Sequence, residues 1–133
     1  MSAPRPTGIV LHRVSRALEV AFDDDSRFTL PAEYLRVNSP SAEVQGHGPG
    51  QRVLLGGKRE VGIEAVEPVG HYAVLLRFSD GHASGIYSWE TLHALGRDHA
   101  RNWADYLAAL QAAGLSREHP GSARATADSP PRR

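Results

Sequence analysis

The sequence predicts an α+β fold: an antiparallel sheet of hairpins, with a short helix before a central loop and two C-terminal helices. Three observations favour this class. Apolar and polar residues alternate in short segments separated by turn residues, which is typical of hairpin strands. The dipeptide Asp80-Gly81 favours a tight type I′ turn. Towards the C-terminus, apolar residues recur at helical spacing, which predicts helices that pack on the sheet or on a partner.

The first three strands are predicted before residue 32. Residues 9–14 and 18–22 are rich in β-branched and apolar side chains and are expected to form a hairpin. The acidic run 23–26 lacks the spacing and the glycine of a calcium loop, so a solvated turn is predicted. Residues 28–30 continue the alternation into a third strand. Proline suits a first helical position, so a short helix is predicted over 31–36.

The second half of the sheet is predicted after the central loop. Residues 51–55 indicate a brief strand that glycines end. Residues 61–65 and 72–78 alternate and predict two antiparallel strands joined at 68–70. Residues 82–87 then return beside the second of these strands.

The two C-terminal helices have recognisable ends. Ser88 is a favourable N-cap for the first helix, which is expected to stop at Gly96. The second helix is predicted to start at Asp98 and to end by Gly114. The inward side chains of the two helices are predicted to be Trp89, Leu92, Leu95, Trp103, Tyr106, Leu107 and Leu110.

The domain organisation follows from length and composition. A chain of 133 residues has the usual size of one domain. Residues 1–7 are expected to be flexible and residues 8–114 to form a single domain. Residues 115–133 are Ser, Ala, Pro and Arg with little to bury, so a disordered tail is predicted.

Composition excludes several classes of function. The chain has no cysteine, which removes disulfides, thiolate catalysis and cysteine-ligated metal sites. Fifteen basic residues balance fifteen acidic ones, so nucleic-acid binding is not favoured. No apolar run approaches the ~18 residues of a spanning helix, so no membrane role is predicted. The N-terminus lacks the apolar core of a secretory signal, which predicts a cytoplasmic protein.

The stretch 35–47, LRVNSPSAEVQGH, concentrates polar side chains between two predicted elements and is the candidate site. Glu43 and His47 form a conceivable acid-base or metal pair, although one carboxylate and one imidazole often meet in a loop by chance. Arg36 and Asn38 are expected to anchor the loop through hydrogen bonds.

Nucleophilic catalysis is not indicated. No Gly-x-Ser-x-Gly elbow surrounds Ser39 or Ser41. The seven histidines lack the i, i+4 spacing of a metalloprotease helix, and structural roles are the commoner use of histidine. His93 and His99 are expected on the faces or ends of the C-terminal helices.

The order LRVNSPSAEVQGH, then PVGHYAVLLRFSDGHASGIYSW, then a leucine-bearing helix resembles the gamma-butyrobetaine hydroxylase-like N-terminal domain family over roughly residues 6–96. In the hydroxylase this domain precedes an oxygenase domain dependent on 2-oxoglutarate and iron, and it holds zinc through three cysteines and one histidine. The related segment reads LRDNCxCxxC. The four ligand positions therefore correspond to Ser39, Ser41, Val44 and His82.

The functional prediction rests on the absence of cysteine at the three family ligand positions. Serine hydroxyls do not replace thiolates around zinc and valine cannot ligate, so the family's zinc site is predicted to be lost and no cofactor is expected. About 115 ordered residues cannot also hold an oxygenase domain. We therefore predict a non-catalytic binding or interaction module. Its protein partner is open, with an oxygenase or an iron-sulfur assembly protein as candidates.

Two alternatives remain. The module also resembles the C-terminal segment of some Mrp-type P-loop ATPases that carry iron-sulfur clusters, which suggests a metal-binding accessory factor. Iron or zinc would then be held by His47, His82 and either Glu43 or Asp80. An enzyme that uses Glu43, His47 and His82 as its acid-base set ranks last, because no substrate-binding element is recognisable.

The family position of His82 also permits a metal-free arrangement. If the central loop folds against the hairpin without thiolates, the hydroxyls of Ser39 and Ser41 are expected to hydrogen-bond the His82 imidazole. Such a polar cluster would pin the loop to the sheet.

Overall fold

A computed structural model describes residues 4–40, 54–81 and 85–118. Two antiparallel three-stranded sheets and three helices occur in these residues, in agreement with the predicted α+β class. The first sheet contains β1 (Pro6–His12), β2 (Ala17–Phe22) and β3 (Arg27–Pro31), with β2 in the centre.

The turns of the first sheet lie where the sequence predicts them. Arg16 has a φ of 55°, and its N–H donates to the Arg13 carbonyl to close the first turn. In the acidic turn, Asp24 accepts from the backbone N–H of Ser26 at 3.0 Å. β1 begins at Pro6, earlier than predicted, because it pairs with β2 as far as Phe22. The expectation of a flexible segment over 1–7 therefore does not hold for its last two residues.

The first helix, α1 (Ala32–Val37), follows β3 directly, and Pro31 occupies the N-cap position before it. All six residues of α1 are buried. A helix this short is unstable alone, so tertiary contacts must hold it in place.

The second sheet contains β4 (Ile63–Val69), β5 (Ala73–Phe78) and β6 (Gly85–Ser88), with β5 in the centre. The predicted link at 68–70 is wrong in its first two residues. Pro68 lies inside β4 opposite Val74. It is tolerated there because β4 is an edge strand, where a proline removes no ladder hydrogen bond if its position faces away from the neighbouring strand.

Two further local predictions in this half are corrected. Leu54 and Leu55 are not in a strand, and the rest of the strand predicted over 51–55 lies outside the described residues. Asp80-Gly81 is not a type I′ turn, because Gly81 has a φ of 90° whereas Asp80 does not have a positive φ. The Gly81 N–H instead donates to the Phe78 carbonyl at 3.1 Å, so glycine takes the last position of the turn.

The C-terminal helices are α2 (Trp89–Arg97) and α3 (His99–Ala112). The Ser88 hydroxyl accepts from the Thr91 N–H at 3.1 Å, which confirms the predicted N-cap. The predicted stop at Gly96 is wrong. Gly96 lies within α2, where a Cβ would come within 2.3 Å of the Phe28 ring. Close packing, and not helix termination, explains this glycine.

One apolar core joins the inward faces of both sheets to α1 and α2. Leu18 and Val20 of β2 and Leu76 of β5 are fully enclosed in it. A second, smaller cluster unites Val37, Tyr106 and Leu110. Leu107, predicted to face inwards, is 38% exposed.

The segment after α3 is packed on the domain as far as the structure describes it. The carbonyls of Ser116 and Arg117 accept from the N–H groups of Gly57 and Arg59. The predicted disordered tail over 115–133 therefore does not begin at residue 115, and residues 119–133 lie outside the described residues. In the described parts of the chain, no helix is long and apolar enough to cross a membrane.

Candidate functional site

The structure describes part of the sequence-predicted site. Arg36, Asn38 and Ser39 are described. The other proposed site residues and ligand positions fall outside the described residues; these are Ser41, Glu43, Val44, His47 and His82. The proposed acid-base and metal pairs among them stay predictions, as does the contact between His82 and the two serines.

Arg36 links α1 to the turn after β5. Its side chain is only 2% exposed, and its Nε donates to Oδ2 of Asp80 at 2.9 Å. Lys58 Nζ lies 2.6 Å from the same oxygen. A carboxylate shared by two cations is well satisfied, which disfavours Asp80 as a metal ligand.

Asn38 and Ser39 follow the end of α1. The Asn38 Nδ2 donates to the Tyr34 carbonyl at 2.9 Å, so it satisfies a carbonyl of the last helical turn. Ser39 is fully buried and hydrogen-bonds with the Tyr87 side chain. The Tyr87 hydroxyl donates to the Leu35 carbonyl.

The Ser39 and Tyr87 side chains require the glycine at residue 85. A Cβ on Gly85 would lie 3.0 Å from Ser39 Oγ and 2.8 Å from Cε1 of Tyr87. Burial raises the pKa of Tyr87 well above its ordinary value, against smaller lowering effects from the Ser39 hydrogen bond and the Arg36 charge. Tyr87 is therefore a neutral structural hydroxyl and not a candidate base.

The residues present do not fit the zinc that the resemblance implies. At the described position, a neutral and enclosed serine hydroxyl is paired with a phenol, and Val44 has no ligating atom. Structural zinc is held by thiolates and imidazoles. Across residues 4–40, 54–81 and 85–118, no three His, Asp or Glu side chains are grouped to hold a metal ion.

A groove of about 760 Å³ lies between the end of α1, residues 54–55, α2 and α3. This volume is within the range of ligand pockets. Its lining residues are Val37, Asn38, Pro40, Leu54, Leu55, Thr91, Leu95, Asn102, Asp105, Tyr106 and Ala109. Among these described lining residues apolar side chains predominate, Asn38 and Asn102 contribute amides, and Asp105 contributes a carboxylate at the rim.

Two tyrosines fix the walls of the groove. The Tyr34 hydroxyl donates to the Leu95 carbonyl at 2.6 Å and accepts from Nδ2 of Asn102 at 3.1 Å, which ties α1 to α2 and α3. The Tyr106 hydroxyl donates to the Leu55 carbonyl and holds residues 54–55 against α3. These hydrogen bonds therefore hold α1, α2, α3 and residues 54–55 to one another around the groove.

Asp105 supplies the charge at the rim of the groove. It is exposed on α3, and no described residue forms an ion pair with it. The α3 side chains that line the groove follow an i, i+3, i+4, i+7 pattern through Asn102, Asp105, Tyr106 and Ala109. Sequence reasoning identified Tyr106 on this face and missed the groove, because Leu54 and Leu55 come from a distant segment.

The described histidines on the helices serve packing and surface contacts. His93 packs edge-on against Phe22 and Phe28, and its Nε2 lies 2.9 Å from the Asp24 carboxylate. His99 lies on the Tyr34 ring at 4.4 Å, and burial lowers its pKa. Both lie on helix faces or ends as predicted.

The solved structures that are similar to this chain include two solution structures and one crystal structure. Two solution structures determined by NMR share 49% and 51% identity with it, each at a TM-score of 0.77. The alignment with the first structure covers 88% of this chain and 92% of the other. The alignment with the second covers 89% of this chain and 88% of the other. A crystal structure from Acidithiobacillus ferrooxidans shares 40% identity at a TM-score of 0.60, covering 71% of this chain and 98% of that one. That protein is described as a DUF971 family member of unknown function.

Family membership follows from the sequence. No curated protein matches the chain. A family model described as gamma-butyrobetaine hydroxylase-like, N-terminal, matches residues 9–93, which contain most of β1, the other five strands, α1 and the Ser39 position. The chain belongs to the gamma-butyrobetaine hydroxylase-like N-terminal domain family.

Proposed function

We propose that this chain is a non-catalytic binding module that docks a protein partner in the groove between α1, residues 54–55, α2 and α3. The observation that carries the proposal is the groove itself, which has a volume of about 760 Å³ and described lining residues that are mostly apolar. Such a concave surface fits an apolar side chain or a short segment of a partner.

The polar chemistry of the described residues supports binding over catalysis. Tyr34 and Tyr106 donate to backbone carbonyls, and Arg36 is paired with Asp80. Asn102 donates to the Tyr34 hydroxyl. These groups hold the walls together, and none of them forms a nucleophile and base pair directed into the groove.

The charge of the groove indicates the chemistry of its partner. Asp105 is the charged side chain among the lining residues that the structure describes, and it has no described ion pair. A segment with apolar side chains and one lysine or arginine would complement both the walls and the rim. An oxygenase or an iron-sulfur assembly protein that carries such a segment remains the candidate partner.

The experiment is a quantitative affinity purification with matched variants. Ala109→Arg places a long cation in the groove, whereas Ala108→Arg places the same side chain on the exposed face of α3 outside it. We expect a stoichiometric partner to bind wild type and Ala108→Arg and to be lost with Ala109→Arg. Capture of the same proteins by all three would contradict the groove as the docking site.

The metal-binding alternative depends on residues outside the described ones, namely Glu43, His47 and His82. The pairing of Asp80 with Arg36 and Lys58 weighs against it. Metal analysis of the untagged protein separates the two functions. Stoichiometric iron or zinc that is lost on His82→Ala would favour the accessory metal factor.

A further inference from the structure

Residues Leu115 to Glu118 form a C-terminal clasp that folds back on the domain. Gly114, at a φ of 72°, ends α3 and turns the chain. The Leu115 N–H then donates to the Leu110 carbonyl at 2.8 Å. The carbonyls of Ser116 and Arg117 accept from the N–H groups of Gly57 and Arg59 at 2.8 and 3.0 Å, so the clasp lies against residues 57–59.

The side chain of Arg117 fastens the clasp to α1. Its Nε and Nη2 donate to the two carboxylate oxygens of Glu33 at 2.9 and 2.7 Å. The Glu33 side chain is only 6% exposed, so loss of Arg117 would leave a buried carboxylate without this partner. The same guanidinium lies over the Trp103 ring, 5.2 Å from its centroid. A lysine could not reproduce this bidentate and stacked geometry.

The clasp also contacts the segment that forms one wall of the groove. A Cβ on Gly56 would lie 2.7 Å from the Ser116 carbonyl oxygen, so the two backbones are in close contact. The preceding residues, Leu54 and Leu55, line the groove. The Tyr106 hydroxyl holds the Leu55 carbonyl from the other side.

The charges of Glu33 and Arg117 also act on the Tyr106 hydroxyl. Burial raises the pKa of Tyr106 to about 12, and the Glu33 charge adds to the effect while Arg117 opposes it. The hydroxyl therefore keeps its proton and remains a donor to Leu55 throughout the physiological pH range. The wall at residues 54–59 is thus held by Tyr106 from one side and by the clasp from the other.

We propose that the clasp is a latch: Arg117, held by Glu33 and Trp103, keeps the wall at residues 54–59 closed, and its release loosens that wall while the sheets stay folded. The consequence for partner docking rests on the proposed function of the groove. The latch itself does not rest on that function, because hydrogen exchange of the wall residues can be measured without any partner.

The test is amide hydrogen exchange on the full chain, read at Gly57 and Arg59, whose N–H groups donate to the clasp. We expect Arg117→Ala to raise exchange at these two amides by about tenfold or more, as local opening becomes easier, and to leave β2 and β5 protected. The control is Arg77→Ala, which removes an arginine paired with Glu67 on the exposed face of the sheet. This control should leave both amides unchanged.

A second variant keeps the test decisive if Arg117→Ala does not fold. Arg117→Lys retains the charge and loses the bidentate fork, so a smaller but still local rise in exchange is expected. Unchanged exchange at Gly57 and Arg59 in both variants overturns the latch. So does a uniform loss of protection across β2 and β5, because Arg117 would then support the whole fold. Neither result depends on whether Ala109→Arg abolishes docking, so the two proposals fail separately.

Discussion

Replacing Gly96 with alanine tests whether close packing or helix propensity governs α2. Gly96 lies inside α2 and is buried beneath Phe28. An added Cβ would lie 2.3 Å from two atoms at the base of the Phe28 ring, far inside van der Waals contact. Ring atoms near Cβ cannot move away by rotating a flexible end, so Phe28 or α2 must shift.

Two opposing terms set the size of the effect. Alanine in place of glycine contributes about 1 kcal/mol of stability in a helix interior, and this is an upper bound for Gly96 because it lies in the last turn of α2. Forcing an extra methyl into a packed site costs about 1 to 3 kcal/mol, and an overlap this severe favours the upper end. We therefore expect Gly96→Ala to lower the free energy of unfolding by about 1 to 2 kcal/mol. In a domain of this size, where each kcal/mol shifts Tm by several degrees, that loss lowers Tm by roughly 4 to 12 °C.

Urea and thermal unfolding of five proteins, the wild type and four variants, measure the effect. Gly8→Ala is the control, because a Cβ at Gly8 meets nothing within 4 Å. The double variant Gly96→Ala, Phe28→Ala should be at least as stable as Phe28→Ala alone, since the overlap is gone and the propensity gain remains. A Gly96→Ala protein as stable as wild type would refute the packing argument. It would mean that the gain in helix propensity offsets any overlap with Phe28.

Two further outcomes follow from single side chains. Burial lowers the pKa of His99 below 6.5, so His99 contributes stability that is present above pH 6.5 and is lost as pH falls below it. His99→Gln should therefore flatten the fall in Tm between pH 7.5 and 5, and equal slopes in the two proteins would exclude this source. Ser88→Ala removes the acceptor of the Thr91 N–H and should cost about 1 kcal/mol, read as a lower urea midpoint at constant slope; an unchanged midpoint would mean that water replaces the cap.

Local sequence chemistry predicts those elements whose causes are local. Alternation identified the strands around Val20 and Leu76, and Ser88 marked the start of α2. The sequence rules failed where a distant neighbour decided the outcome. Gly96 has the sequence signature of a helix end, but its glycine is required by Phe28, 68 positions earlier in the chain.

The candidate site was predictable only in part, for the same reason. The motif pointed to Arg36, Asn38 and Ser39; of these, Asn38 lines the groove, whereas Arg36 pairs with Asp80 and Ser39 with Tyr87. Nothing in the composition of the C-terminal residues indicates that Arg117 pairs with Glu33, because the two are 84 positions apart. Composition indicates how much apolar surface the C-terminal segment can bury, but it does not indicate that one of its residues pairs with a buried residue far away in the chain.

Buried polar contacts fix the position of α1 in the domain. In the described parts of the chain, the buried polar residues are Glu33, Arg36 and Ser39, and all three lie in or directly after α1. Their partners come from the C-terminal clasp, from the turn after β5 and from β6. A helix of six residues has little intrinsic stability, so these long-range contacts determine where it lies. Since the end of α1 forms one wall of the groove, the same contacts that fold α1 also shape the surface proposed to receive a partner.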